Sequence, residues 1–159
     1  MEQKNEQKTN VMRLLDKAKV PYRSYTYTGN ETTAGTEVAA LIDRNPDQVF
    51  KTLVTVGKSN RHYVFVIPVS RELDLRKAAA CVDEKAVQML KAKDLLPLTG
   101  YVHGGCSPIG MKKAFTTVLD ATAEGYDTIL FSAGKIGYQV EIDPAVLPKL
   151  IPCSLGDVT

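Results

Sequence analysis

The sequence is poor in metal ligands and in disulfide-forming residues. Its three cysteines, Cys81, Cys106 and Cys153, are an odd number without a Cys-x-x-Cys spacing, which argues against a disulfide framework and against a zinc site. The two histidines, His62 and His103, are too few and too far apart in sequence for a histidine-rich metal cluster. We therefore expect no metal and no cofactor.

Long apolar runs and a strong charge of one sign are also missing. No apolar run approaches the ~20 residues that span a bilayer, and residues 1–10 lack the apolar core of a signal peptide. The formal net charge of +2 is too small to indicate a nucleic-acid-binding protein by itself. We expect a cytoplasmic protein that binds neither membranes nor DNA.

The composition is that of a globular domain. The chain has 159 residues, of which 44% are hydrophobic and 24% charged, and it shows no internal repeat. Residues 1–9 form a polar N-terminal tail, and residues 10–159 are predicted to fold as one domain.

Hydrophobic periodicity and turn residues predict both helices and strands. We expect helices over residues 10–19, 74–80, 83–93 and 143–150, and a further helix that is capped by Thr36 and continues through Ile42. We expect a loop over residues 100–110. We expect strands over 22–28, 49–56, 61–69, 116–121, 128–132 and 138–142, with 57–60 as a hairpin turn. The pattern indicates a single α+β domain with a mixed, largely antiparallel sheet flanked by helices.

Lys51 is the first candidate for chemistry. It lies in the apolar, β-rich segment VFKTLV, where alternation places it on the same face as Leu53 and opposite Phe50. A lysine in such a strand is costly unless its ammonium group reaches solvent or meets an anion. The alternative is an edge-strand lysine that prevents aggregation, and the residues alone do not decide between the two.

Two glycine-containing segments are candidates for ligand binding. Gly104–Gly110 (GGCSPIG) predicts a tight loop whose backbone N–H groups can approach an anion or a carbonyl oxygen, although its spacing is not that of a phosphate-binding loop. Residues 131–137 (FSAGKIG) form a turn of small residues between two strands. Taken alone, an ordinary loop and an ordinary hairpin explain both segments.

A nucleophilic triad is not supported by the sequence. Cys106, Ser107 and His103 are close together, but the segment is not a Gly-x-Ser-x-Gly elbow and no orienting carboxylate is nearby. The chemistry must then come from another arrangement.

Four segments in a fixed order resemble the YbaK family, namely residues 45–53 (NPDQVFKTL), 73–77 (LDLRK), 99–110 (TGYVHGGCSPIG) and 132–135 (SAGK). This family comprises bacterial Cys-tRNA(Pro) deacylases and is related to the editing domain inserted in some prolyl-tRNA synthetases. The resemblance extends from about Asn10 to Leu150, and the combination of the Lys-Thr-Leu strand with the glycine loop is specific. It implies an α+β domain with a central pocket.

The resemblance also implies roles for individual residues. Lys51 matches the family's hallmark lysine, which faces the pocket and helps to hold the aminoacyl end of the tRNA, so it is the predicted catalytic residue. The predicted substrate-binding residues are Tyr27, Thr52, Gly104, Gly105, Ser107, Ser132, Gly134 and Lys135.

By this resemblance, the expected function is trans-editing, in which an aminoacyl-tRNA deacylase clears mischarged tRNA. The expected substrate is Cys-tRNA(Pro), or else Cys-tRNA(Cys). In the expected mechanism the thiol group of the substrate attacks its own ester carbonyl. Hydrolysis of the ester by a bound water is the competing mechanism. The implied partners are the 3′ end of mischarged tRNA and, as for a related deacylase, prolyl-tRNA synthetase.

Two positions depart from the family and leave the amino-acid specificity open. Ala34 stands where many members have an aromatic residue, and Gln139 stands where some have an acidic one. A non-catalytic module that binds aminoacyl-tRNA, or a synthetase partner, predicts the same pocket and stays open as the alternative.

Overall fold

The computed structural model describes residues 8–159 of the chain, so most of the predicted tail, residues 1–7, lies outside the described residues. The α-helices are α1 (Asn10–Lys17), α2 (Gly35–Leu41), α3 (Leu75–Cys81), α4 (Ala92–Thr99) and α5 (Leu147–Leu150). The strands are β1 (Arg23–Thr26), β2 (Phe50–Gly57), β3 (His62–Pro68), β4 (Val87–Met89), β5 (Thr116–Asp120), β6 (Ile129–Ser132), β7 (Tyr138–Ile142) and β8 (Cys153–Gly156). No helix within residues 8–159 has the length and apolar character needed to cross a membrane.

The strands divide between two sheets. The larger sheet has the order β4-β2-β3-β5-β8, antiparallel across β4, β2 and β3 and parallel across β3, β5 and β8. The smaller sheet, β1-β7-β6, is antiparallel throughout. A parallel bridge between Val49 and Leu130 joins the two sheets. The predicted α+β domain with mixed, largely antiparallel strand pairing is confirmed, with two sheets in place of one.

The β2–β3 hairpin forms as its sequence predicts. The Gly57 N–H donates to the Arg61 carbonyl at 2.8 Å, and Asn60 adopts a left-handed conformation with φ of 72° that asparagine tolerates. The strand β3 is almost wholly apolar because both of its faces are covered. Val64 and Val66 pack into the main core. Their neighbours along β3 pack into a second core against α3.

Helix α1 covers the main core. Its expected periodicity is confirmed: Val11 and Leu15 are fully buried, and the helix ends at Lys17. Thr9 caps the helix by accepting a hydrogen bond from the Met12 N–H at 3.2 Å.

The helix predicted over 83–93 is wrong. This segment contains strand β4, and α4 begins only at Ala92. The open edge of β2 explains the difference. Pairing of Thr55 with Met89 satisfies backbone groups of β2 that would stay unpaired if the segment formed a helix. Strand β8 was not predicted from the sequence either, since its strand conformation depends on parallel pairing with the distant β5.

The predicted cap of α2 is also wrong. The helix begins at Gly35 with Ala34 at the N-cap position, and the Glu37 carboxylate accepts a hydrogen bond from the Ala34 N–H at 2.8 Å. The Glu37 side chain therefore takes the capping role that we expected of the Thr36 hydroxyl group. Gly35 fits closely against Val69, because a Cβ at this position would lie 2.5 Å from a Val69 methyl group.

A partly buried ion pair links the turn after α2 to the smaller sheet. Arg44 donates two hydrogen bonds to the Glu141 carboxylate, at 2.8 and 2.9 Å, and the hydroxyl groups of Tyr25 and Thr128 donate to the same carboxylate. The Glu141 side chain is only 8% exposed. The Arg44 guanidinium, with the two hydroxyl groups, lowers the pKa of Glu141 to about 2.

This shift predicts acid sensitivity of the fold. The folded-state pKa of Glu141 lies below its ordinary value, so its contribution to stability is present above about pH 4.5 and is lost as the pH falls toward 2. We expect Glu141→Gln to lower the free energy of unfolding by about 2 kcal/mol at neutral pH, with the gap to wild type narrowing in acid. Urea unfolding followed by circular dichroism across this pH range measures the gap. Exposed Glu124→Gln is the control, and a gap that did not change with pH would contradict the prediction.

Candidate functional site

A cavity of about 460 Å³ opens where the two sheets meet. The first residues of β2 border it on one side, and Ser132 and Gln139 of the smaller sheet border it on another. The exposed residues that lie at its mouth are Glu31, Thr32, Ala34, His103 and Gly104. Its volume falls in the range of about 300–1,000 Å³ that is usual for small-molecule sites.

The cavity lies beside an open strand edge. Within residues 8–159, β4 pairs with β2 only at residues 55–57, so the edge near Lys51 and Thr52 faces the cavity. Phe50 packs into the main core and Leu53 against the second core. By strand alternation, Lys51 therefore lies on the Leu53 face and Thr52 on the Phe50 face, as the sequence predicted for Lys51.

Two buried polar atoms at the cavity have no partner among the described residues. They are Thr52 Oγ1 and Gln139 Oε1, and both residues line the cavity. An unpaired buried polar atom costs about 1–3 kcal/mol, and proteins rarely retain one without a functional reason. The neighbouring Thr55 shows the ordinary arrangement, because its hydroxyl group donates to the Tyr63 carbonyl at 3.1 Å.

The two glycine-containing loops meet at the cavity wall. A Cβ on Gly105 would lie 3.1 Å from the Ile136 backbone nitrogen, so the two loops approach each other closely at this residue and leave little room for a side chain. Gly104 adopts a φ of 89°. The Gly105 N–H donates to the Val102 carbonyl at 3.0 Å and is therefore used within its own loop.

The predicted site residues divide into two groups. Five of them line the cavity: Tyr27, Lys51, Thr52, Gly104 and Ser132. The other four, Gly105, Ser107, Gly134 and Lys135, lie in the two glycine-containing loops and do not line it. Ser107 is fully buried and accepts a hydrogen bond from the Ile109 N–H at 3.3 Å. The Lys135 ammonium group lies 5.3 Å from the centre of the Tyr138 ring.

Sequence reasoning missed much of the cavity wall. Val38, Val69 and Leu95 form apolar parts of the wall, and Glu31 lies at the mouth. These side chains come from a helix, a strand end, another helix and a loop, and no local pattern distinguishes them from ordinary core or surface residues.

Cys106 lines the cavity but is not prepared to act as a nucleophile. It is 9% exposed, and burial raises the pKa of its thiol to about 12. The thiol is therefore protonated at neutral pH, whereas a nucleophilic cysteine needs a depressed pKa. This agrees with the absence of a triad from the sequence pattern.

Known proteins resemble this chain over most of its length. Residues 29–150 match the family model described as the aminoacyl-tRNA editing domain. The chain is 45% identical over 157 residues to an Enterococcus faecalis protein provisionally named Cys-tRNA(Pro)/Cys-tRNA(Cys) deacylase EbsC, covering 98% of this chain and 96% of that protein. It is also 25% identical over 99 residues to a proline–tRNA ligase of Pelobacter propionicus, covering 62% of this chain and 17% of that ligase.

Solved structures share the fold. A structure provisionally named a trans-editing enzyme for prolyl-tRNA synthetase superposes with a TM-score of 0.79 at 23% identity, covering 94% of each chain. The hypothetical protein APE2540 superposes with a TM-score of 0.84 at 22% identity, covering 93% of this chain and 97% of that one. At these identities the likeness shows the fold alone.

The environments of the cysteines predict their order of alkylation. Cys81 is exposed, whereas burial raises the pKa of Cys153 to about 11 and that of Cys106 to about 12. We expect iodoacetamide to label Cys81 first in the native protein and Cys106 last, as measured by peptide mass spectrometry over time. Denatured protein, in which all three thiols react alike, is the control. Early labelling of Cys106 would contradict its assignment as an inert wall residue.

Proposed function

The chain belongs to the aminoacyl-tRNA editing domain family, and on this premise we propose that it is a trans-editing deacylase that cleaves Cys-tRNA(Pro) or Cys-tRNA(Cys). The name of the relative that is 45% identical supports this substrate class. The similarity to a proline–tRNA ligase supports prolyl-tRNA synthetase as the source of the mischarged tRNA. The proposal includes a cytoplasmic location, because charged tRNA is used there in translation.

The observation that carries the proposal is the unpaired Thr52 Oγ1 and Gln139 Oε1 beside Lys51 in one cavity. Such polar atoms are satisfied when a ligand with matching groups enters. The Gln139 oxygen can only accept a hydrogen bond, so it suits a donor such as the ammonium or thiol group of a cysteinyl ester. The Thr52 hydroxyl can donate to an ester oxygen or accept from the same ammonium group.

Lys51 is the proposed electrostatic catalyst. Attack on the ester carbonyl places negative charge on its oxygen, and a lysine ammonium group at the cavity edge stabilises this charge. The cavity also positions the reacting groups, which lowers the entropic part of the barrier. No other lysine among residues 8–159 lines the cavity.

The proposed reaction uses the thiol of the substrate. The cysteinyl sulfur attacks the ester carbonyl carbon, the bond from that carbon to the ribose oxygen breaks, and the thiol proton ends on the ribose oxygen. The products are free tRNA and a cyclic thiolactone, so the protein supplies no nucleophile. The protonated Cys106 is consistent with this route.

The same chemistry explains how prolyl-tRNA is spared. A prolyl ester has no thiol and cannot form the thiolactone, so discrimination does not depend on a close fit. The small Ala34 at the cavity mouth leaves the cavity wide and Gln139 is neutral, so the cavity does not select strongly among alanine, serine and cysteine by size. Selection of cysteine would come from its reactivity.

Deacylation of radiolabelled aminoacyl-tRNA tests the proposal. We expect wild type to release the labelled cysteinyl group from Cys-tRNA(Pro) and to leave Ala-tRNA(Pro) and Pro-tRNA(Pro) intact. Lys51→Ala should lower the rate by about 100-fold or more because it removes the stabilising charge. Lys58→Ala, in the hairpin at the far end of β2, is the matched control and should keep the wild-type rate.

Two outcomes would contradict this assignment. A folded Lys51→Ala variant with a near-wild-type rate would remove Lys51 from the mechanism. A wild-type protein that binds the tRNA but cleaves none of the three esters, with or without prolyl-tRNA synthetase, would be the non-catalytic binding module.

We expect the substitution Thr52→Val to raise the stability of the fold and to lower the deacylase activity. We expect Thr52→Val to raise the free energy of unfolding by about 1 kcal/mol, because it removes an unpaired hydroxyl group at constant volume. It should also lower kcat/KM for Cys-tRNA(Pro) by about tenfold, because the substrate loses a partner. Urea unfolding and steady-state kinetics measure the two effects.

Thr55→Val is the matched control on the same strand. Its hydroxyl group is hydrogen-bonded and does not line the cavity, so this substitution should lower stability by about 1 kcal/mol and leave kcat/KM unchanged. The same sign of stability change in both variants would contradict the view that Thr52 is held unpaired for the substrate.

A further inference from the structure

Exposed lysines outnumber acidic residues around one helix beside the cavity. Helix α4 borders the cavity through Leu95, with exposed Lys91 at its N-cap and exposed Lys93 and Asp94 in its first turn. Exposed Lys112 lies at the other end of the same helix, where its Nζ donates to the Pro97 carbonyl at 3.3 Å. We call the three lysines, Lys91, Lys93 and Lys112, the α4 rim.

The α4 rim is continuous with the cavity. The Leu90 N–H donates to the Val54 carbonyl at 3.0 Å, which fixes the start of α4 beside the edge of β2 that carries Lys51. Lys91 precedes Leu95 by four residues, and residues four apart are neighbours on a helix surface. A ligand that extends out of the cavity over Leu95 therefore meets Lys91 first, and Lys93 and Lys112 flank the same helix.

Acidic side chains also lie near the cavity. Glu31 lines it, and exposed Glu37 lies in the first turn of α2. The three lysines around α4 outnumber Asp94, whereas residues 31–37 contain no lysine or arginine. The approach of a polyanion is therefore more favourable over α4 than over the 31–37 segment.

We infer that the acceptor-stem backbone of the tRNA lies along the α4 rim while its 3′ end enters the cavity. The inference rests on the proposed function and adds the direction of approach. The eight residues of α4 extend about 12 Å, enough to accompany several phosphates spaced at about 3.4 Å per charge along one strand. Lysine–phosphate contacts position a nucleic acid without reading its sequence, which suits a free-standing editing domain.

Binding of fluorescently labelled, uncharged tRNA(Pro) tests the inference. The rim variant is Lys91→Ala/Lys93→Ala/Lys112→Ala. The matched control is Lys58→Ala/Arg61→Ala/Lys85→Ala, which removes three exposed cations around the hairpin at the far end of β2. Both variants lose the same net charge, so a difference between them reports position. Fluorescence anisotropy is followed across a series of KCl concentrations.

We expect the rim variant to bind at least about tenfold more weakly than the control at low salt. The slope of log affinity against log salt should become shallower by about 2, since three phosphate contacts contribute about 0.7–0.9 each. A rim variant that binds as tightly as the control would overturn the inference. A defect that appears only when prolyl-tRNA synthetase is present would also overturn it, because the rim would then contact an acidic protein surface.

Cleavage of a cysteinyl ester of adenosine separates the inference from the proposed function. This substrate enters the cavity without reaching the rim, so the rim variant should cleave it at the wild-type rate. Slower cleavage would mean that the three lysines act on the cavity itself and would overturn the inference. A wild type inactive on every ester would reject the proposed function, while the binding of uncharged tRNA would still decide whether the rim holds the acceptor stem.

Discussion

The architecture depends on the backbone junction at Val49. The Val49 carbonyl accepts from the Val69 N–H at 2.8 Å, the neighbouring Gln48 carbonyl accepts from the Leu130 N–H at 3.1 Å, and Val49 is almost fully buried. This junction is where the smaller sheet joins the larger one, and one residue later Phe50 begins to pair with β3. The open edge of β2 is thereby held opposite the smaller sheet, and the cavity is the space between them. A shift in this junction would separate Lys51 from Gln139.

Two polar side chains of β7 differ in their hydrogen bonding, one at the cavity and one outside it. Gln139 and Glu141 lie two residues apart and therefore on the same face of the strand. The Glu141 carboxylate accepts hydrogen bonds from Arg44, Tyr25 and Thr128, whereas Gln139 Oε1 accepts none within the described residues. Glu141 holds the sheet to Arg44 in the turn after α2, whereas the unpaired Gln139 oxygen borders the cavity. A structural position and a position at the proposed site thus alternate along a single strand.

The fold was predictable from the sequence where local patterns and tertiary contacts agree. The amphipathic α1 and the β2–β3 hairpin carry their own periodicity and turn residues, and both form as expected. The segment 83–93 and strand β8 were not predictable, because a long-range edge decides their conformation. Val87–Met89 becomes a strand through pairing with β2, and Cys153–Gly156 through pairing with β5. Propensity alone does not contain that information.

The sequence by itself determined the α+β class and the motif that relates the chain to its family. It also singled out Lys51, since a lysine in an apolar strand and a glycine-rich loop are visible as local patterns. Only the tertiary structure decided that Thr52 and Gln139 line one cavity with unpaired oxygens, and that a helix flanked by exposed lysines borders the same cavity. The physical reason is that burial, hydrogen-bond satisfaction and the surface field depend on which distant segments come together, and the Val49 junction brings them together.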